Sequence, residues 1–144
     1  YTDGQGTVET VSSSLTPAVR DVIVESIGAI RAENTGNGSN MILEFYADDS
    51  LVGASVTSFD AVVTFYTSEA AYVSTTLQTG YLGFPNATDG TIALSGISLY
   101  GGATSDPLFT ISLTDQNMTE DLAIYVSDVL VNNTALDGST LLIA

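Results

Sequence analysis

The chain of 144 residues contains no cysteine, histidine, lysine or tryptophan, and its only cationic side chains are Arg20 and Arg31. Those absences exclude much familiar chemistry. Without His, Cys or Lys there is no Ser-His-Asp or Cys-His nucleophile, no Schiff-base lysine, and no zinc site built on imidazole or thiolate. Without Cys no disulfide staples the fold. No run approaches the 18 or so consecutive apolar residues that a membrane-spanning helix needs. Tyr1 opens a polar segment, as expected of a chain whose secretory leader has been removed.

Charge is scarce and one-sided. Only 13% of residues are charged, and 17 acids against two arginines give a formal net charge of −15. Nucleic acid is excluded as a partner, because binding it depends on Lys and Arg neutralising phosphates. Insertion into or adsorption on anionic membranes is disfavoured by the same sign. Self-repulsion does not forbid assembly, since at a Debye length of about 8–10 Å it is largely screened in brine. A pair of acids such as two of Asp48, Asp49 and Asp60 would satisfy the minimum for glycoside hydrolysis. With no Trp and almost no cation to grip a sugar, no enzyme is expected.

What is present is an ordinary hydrophobic fraction, 44%, together with 35 Ser and Thr residues. Hydroxyls rather than charges must therefore cover the outside, a composition suited to a secreted or cell-surface β protein. At this length the chain makes one core without staples.

Residues 1–16 are polar and carry one short alternating run, Thr7-Val8-Glu9-Thr10-Val11. This stretch reads as an N-terminal tail or donor-strand segment, with Thr7, Val8, Val11 and Leu15 as its interface residues. Residues 17–144 read as the folded domain. Thr16-Pro17 followed by Val19, Val22, Ile23, Ile27 and Ile30 has helical spacing, but β-branched Val22-Ile23-Val24 and the helix-weakening Gly28 favour a strand. Further strands are expected over Met41–Tyr46, Ser58–Tyr66, Tyr72–Leu77, Thr91–Leu94, Ile97–Tyr100, Leu108–Leu113, Leu122–Val131 and Thr140–Ile143. Turn signals at Gly80, Pro85-Asn86, Asp89-Gly90, Gly101-Gly102, Asp106-Pro107 and Asp137-Gly138 separate most of them. Eight or nine short strands without sustained helical periodicity predict an all-β sandwich or jelly roll with an N-terminal extension. Phe45, Phe59, Phe65, Phe84 and Phe109 are the expected core aromatics; Tyr66, Tyr72 and Tyr100 are candidates for a surface.

Calcium is the metal that suits these acids, because it takes oxygen ligands from Asp, Asn and carbonyls in turns. The run from Asp115 to Asp121 places oxygen-bearing side chains at alternate positions, with Asp115, Asn117 and Asp121 as candidate ligands and Asp48 and Asp49 as a second set. Four of the seven asparagines open an Asn-x-Ser/Thr sequon: Asn37, Asn86, Asn117 and Asn132. Random placement would give roughly two, so N-glycosylation at these turn positions is a further expectation.

From Thr57 onward the order of features resembles a cohesin-type domain, the jelly-roll module of cellulosomal scaffolds and of many secreted surface proteins. The resemblance is carried by Ser58-Phe59-Asp60-Ala61-Val62-Val63-Thr64-Phe65-Tyr66, Tyr72-Val73-Ser74, Gly80, Asp89-Gly90-Thr91-Ile92, Gly101-Gly102, Pro107-Leu108-Phe109-Thr110-Ile111 and Val126-Ser127-Asp128-Val129-Leu130-Val131-Asn132. It implies a jelly-roll fold and, for a cohesin, recognition of a dockerin. Two functional expectations follow. One is an extracellular structural subunit of a filament, surface layer or adhesin array, a homopolymer in which the N-terminal strand adds to a neighbour's open sheet edge. The other is a cohesin-like or lectin-like module that binds a protein or glycan ligand.

Overall fold

The computed structural model describes residues 21–26, 30–47, 56–102, 106–117 and 120–143. Among them are eleven strands and no helix: β1 (Val22–Ser26), β2 (Ile30–Asn34), β3 (Asn40–Ala47), β4 (Val56–Phe65), β5 (Ala70–Leu77), β6 (Asn86–Thr88), β7 (Thr91–Gly102), β8 (Phe109–Asp115), β9 (Leu122–Val131), β10 (Thr134–Leu136) and β11 (Ser139–Ile143). All pair antiparallel. They form a seven-stranded sheet ordered β1-β11-β9-β4-β7-β6, with β10 beside β9, and a four-stranded sheet ordered β2-β3-β8-β5. The expected sandwich is present, and the ambiguous stretch after Pro17 forms strands where it is described.

Strict alternation makes the two inner faces. β4 buries Phe59, Ala61, Val63 and Phe65, while β8 buries Phe109, Ile111 and Leu113. A strand's side chains alternate faces, so one apolar residue in two suffices to line a core. At its centre Phe45 stacks on Phe109 with ring centroids 4.6 Å apart, Phe109 lies 5.8 Å from Phe59, and Phe59 tilts against Tyr81 at 5.2 Å. This aromatic column joins the sheets, and each pair adds about 0.5–1.5 kcal/mol beyond the area it buries. The Tyr81 hydroxyl, buried with its ring, donates to the Val56 carbonyl. Ser139 Oγ likewise donates to the Ile30 carbonyl at 2.6 Å, tying β11 to β2 across the sandwich.

Two tight turns follow sequence chemistry. Asp89 and Gly90 both have positive φ, 45° and 81°, between β6 and β7. Asn132 and Asn133 do the same between β9 and β10, with φ of 51° and 64°. Paired positive φ values match the right-handed strand twist and favour Asp, Asn and Gly.

The structure corrects three expectations. β7 is one strand of twelve residues, not two short ones over Thr91–Leu94 and Ile97–Tyr100. Strands β6 and β10, and β2 beyond Ile30, occupy stretches to which no strand was assigned. Phe84, expected in the core, is 94% exposed. The reason is register. Leu82 bridges Ile97 and Asn86 pairs with Ala93, and the same register between them sets Phe84 opposite the outward-facing Ser95.

Candidate functional site

The outer face of the seven-stranded sheet, at its β6–β7 end, combines two unusual properties. The first is exposed apolar bulk. Leu99 is 89% exposed, Leu82 80% and Ile97 62%, and Phe84 stands beside them. Leu82 and Ile97 are held side by side by reciprocal backbone hydrogen bonds of 2.8 and 3.0 Å. Single exposed apolar residues need no explanation, but a group of four large ones makes a candidate interaction surface.

The second property is the near absence of charge. From Gln78 to Gly102 the only charged residue is Asp89, and on the adjacent β4 it is Asp60. Of the chain's 17 acids, β4 and the stretch from Gln78 to Gly102 hold two. The Asp60 carboxylate accepts a hydrogen bond from the Ser95 hydroxyl, its cross-strand neighbour. Moving from the apolar end across the sheet, the outward row becomes hydroxyl-rich with Ser58, Thr64 and Thr91, and ends at an edge-to-face pair of tyrosines, Tyr66 and Tyr125, with centroids 6.4 Å apart. An apolar cluster at one end, bordered by hydroxyls and aromatic rings, makes a candidate protein-recognition surface.

Gly96 positions this face. A Cβ there would lie 2.5 Å from the Phe59 ring and 3.2 Å from Tyr81, so only Gly lets the rings close beneath β7. With Gly96 and Ser98 pointing inward, Ile97 and Leu99 must point outward. Sequence reading missed these residues because dividing β7 into two strands concealed the parity. Read as one strand, inward Ile92 and Leu94 put 97 and 99 on the opposite face.

The candidate metal ligands are partly brought together. Asp115, Asn117 and Asp121 line one cleft of about 250 Å³ with Ser68, Glu69, Glu120 and Leu122. Asp115 ends β8 and is buried; its Oδ1 accepts the Asn117 N–H at 2.9 Å. Among the described residues no group of three or more carboxylates is arranged to hold a metal ion. Asp48 and Asp49 lie outside the described residues, as do the interface candidates Thr7, Val8, Val11 and Leu15.

All four sequon asparagines are exposed, in different settings. Asn37 is in the turn before β3, where its carbonyl accepts the Asn40 N–H. Asn86 opens β6. Asn117 follows β8 at the mouth of the acidic cleft. Asn132 is a structural anchor: its Oδ1 accepts from the Thr57 N–H at 2.8 Å, the Thr57 hydroxyl at 2.9 Å and the Ser58 N–H at 3.3 Å, joining the β9–β10 turn to β4. Of the surface candidates, Tyr66 and Tyr72 are exposed, while the Tyr100 side chain lies outside the described residues.

No family model matches the sequence, and no curated protein matches it. Solved structures do. The cohesin module of a family 33 glycoside hydrolase from Clostridium perfringens is 14% identical, with a TM-score of 0.62 over 87% of this chain and 95% of that one. The sixth cohesin of scaffoldin B from Acetivibrio cellulolyticus, solved in complex with a dockerin, is 11% identical, with a TM-score of 0.58 over 81% of this chain and 88% of that one. A type I cohesin in a cohesin–dockerin complex from Clostridium thermocellum is 9% identical, with a TM-score of 0.51 over 85% of this chain and 97% of that one. At such identities the likeness concerns architecture, and the architecture of this chain is that of a cohesin-type jelly roll.

Proposed function

We propose that this chain is a non-catalytic, extracellular or cell-surface module that binds a protein partner on the outer face of its seven-stranded sheet. The observation that carries the reading is the group Leu82, Ile97 and Leu99, exposed on a surface almost free of charge in a chain of net charge −15. Burying large apolar side chains drives association, and hot spots lie where such side chains meet a complementary pocket. The two cohesin-type neighbours solved with dockerins support a protein rather than a glycan as the ligand class. The test is affinity capture from the secreted and surface proteins of the producing cells, using the chain and its Ile97→Asp/Leu99→Asp variant. A partner retained by the chain, lost by that variant and kept by Val73→Asp on β5 supports the reading. A partner that ignores the Ile97/Leu99 change contradicts it.

A second reading, a structural subunit in a homopolymer, is favoured by β5. Among the described residues this edge strand of eight residues pairs with β8 alone, and it carries neither charge nor proline, the usual guards of an exposed edge. In that reading the segment around Thr7 to Val11 of one copy adds to the open edge of the next. Deleting residues 1–15 would then abolish assembly as seen by electron microscopy. Filaments that persist after the deletion would refute it.

A further inference from the structure

Phe84, Asn86 and Thr88 form a second feature at the margin of this apolar face. All three belong to one outward-facing row: Asn86 pairs with Ala93 and Thr88 with Thr91, both exposed, and Phe84, itself exposed, falls on the same side in the register shared with the isolated Leu82–Ile97 bridge. Same-face neighbours stand roughly 6.5–7 Å apart along an extended strand. The sequence Phe84-Pro85-Asn86-Ala87-Thr88 is thus an N-glycosylation sequon with its hydroxyl residue beside the asparagine on one flank and a bare aromatic ring on the other.

The setting distinguishes Asn86 from the other three sequons. Asn132 is committed by three hydrogen bonds to Thr57 and Ser58. Asn117 donates its N–H to Asp115 and faces a cleft lined by four carboxylates. Asn37 sits in a tight turn, and none of these three has an aromatic residue within two positions. Asn86 lies on the short strand that is outermost in its sheet among the described residues, exposed along with its two β6 neighbours. Pro85 fixes its own φ and has no N–H to leave unpaired, so it holds the approach to the edge rigid.

We infer that Asn86 carries an N-linked glycan whose first sugar packs on the face of Phe84. In the modification, Asn86 Nδ2 attacks the anomeric carbon of a lipid-linked oligosaccharide. The N–C bond forms, the bond from that carbon to the lipid phosphate oxygen breaks, Nδ2 loses one proton, and the lipid phosphate departs. The apolar C–H face of a pyranose covers an aromatic ring while its hydroxyls remain in water. This explains why a phenylalanine can stand 94% exposed in the polypeptide. The glycan then forms the rim of the apolar face and leaves Leu82, Ile97 and Leu99 open.

The inference does not depend on finding a protein partner, and its test uses none. Glycopeptide mass spectrometry of the protein secreted by its own cells should find the Asn86 peptide glycosylated, and Thr88→Ala should remove that mass while leaving Asn86 in place. Thermal melts should place the Thr88→Ala protein a few degrees below the glycosylated chain. In a Phe84→Ala background, which leaves the sequon intact, that difference should vanish. An unmodified Asn86 peptide would overturn the site. A glycan whose loss shifts the melting temperature equally with and without Phe84 would overturn the stacking.

Discussion

The same substitution at two phenylalanines, Phe109→Ala and Phe84→Ala, should differ sharply in cost. Phe109 is 1% exposed and lies between Phe45 and Phe59, so truncation leaves a cavity bordered by rings from both sheets. Large-to-small changes of this kind cost about 3–5 kcal/mol, the upper half being appropriate where two aromatic contacts are lost together. For a domain of this size that is a fall in Tm of roughly 10–20 °C. Phe84 touches little but water, so in protein made without glycan its removal should stay within about 0.5 kcal/mol of zero. Urea unfolding of both variants against the parent measures the difference directly, with an unchanged denaturant slope confirming a two-state comparison. Equal losses at the two positions would refute the register that turns Phe84 outward, and with it the assignment of the apolar face.

Three further expectations test individual joints of the fold. Gly96→Ala should destabilise by about 1–3 kcal/mol, because the new methyl overlaps the Phe59 ring; a gain in denaturation midpoint would mean that the ring has room to move. Asn132→Ala should cost about 1–3 kcal/mol, since it removes the acceptor for three donors and places Ala at positive φ. Asn132→Asp keeps the acceptor and should retain most of that stability, separating the anchor from the sequon in the same melt. Tyr46 should ionise late, near pH 12, because burial disfavours the phenolate and Glu44, to which its hydroxyl donates at 2.9 Å, opposes the negative charge. A group raised in the folded state contributes stability that is complete below its unfolded value near 10 and is lost as pH climbs from there towards 12. A spectrophotometric titration checks this: a component ionising near pH 12 should be lost in Tyr46→Phe and shifted downward in Glu44→Gln.

Much of this architecture was legible in the residues. Alternation in Phe59-Asp60-Ala61-Val62-Val63-Thr64-Phe65 and in Phe109 to Leu113 fixes which side chains enter the core, and Asp89-Gly90 announces a two-residue hairpin turn. The order of features from Thr57 onward was enough to reach the cohesin-type fold. Strands of three residues such as Asn86–Thr88 carry too few positions for a period to show. The exposed apolar face was missed for a related reason. Gly96 reads locally as a break, and only the rings of Phe59 and Tyr81 closing on it reveal why a glycine sits inside an unbroken strand. Hydrophobicity alone placed Phe84 in the core, whereas its orientation depends on pairing with β7, a contact that sequence spacing does not encode. The Asp115 to Asp121 pattern gathered its residues around one cleft, but alternate spacing in a turn does not set where the oxygens point.

The central claim is that Ile97 and Leu99 on the outer face of the seven-stranded sheet carry partner binding, and calorimetric titration of the captured partner tests it most directly. The account predicts that Ile97→Asp/Leu99→Asp raises Kd at least about 30-fold, the scale of one lost hot spot, while Val73→Asp on the opposite sheet leaves it unchanged. A partner that binds the Ile97/Leu99 variant with unaltered affinity would contradict it.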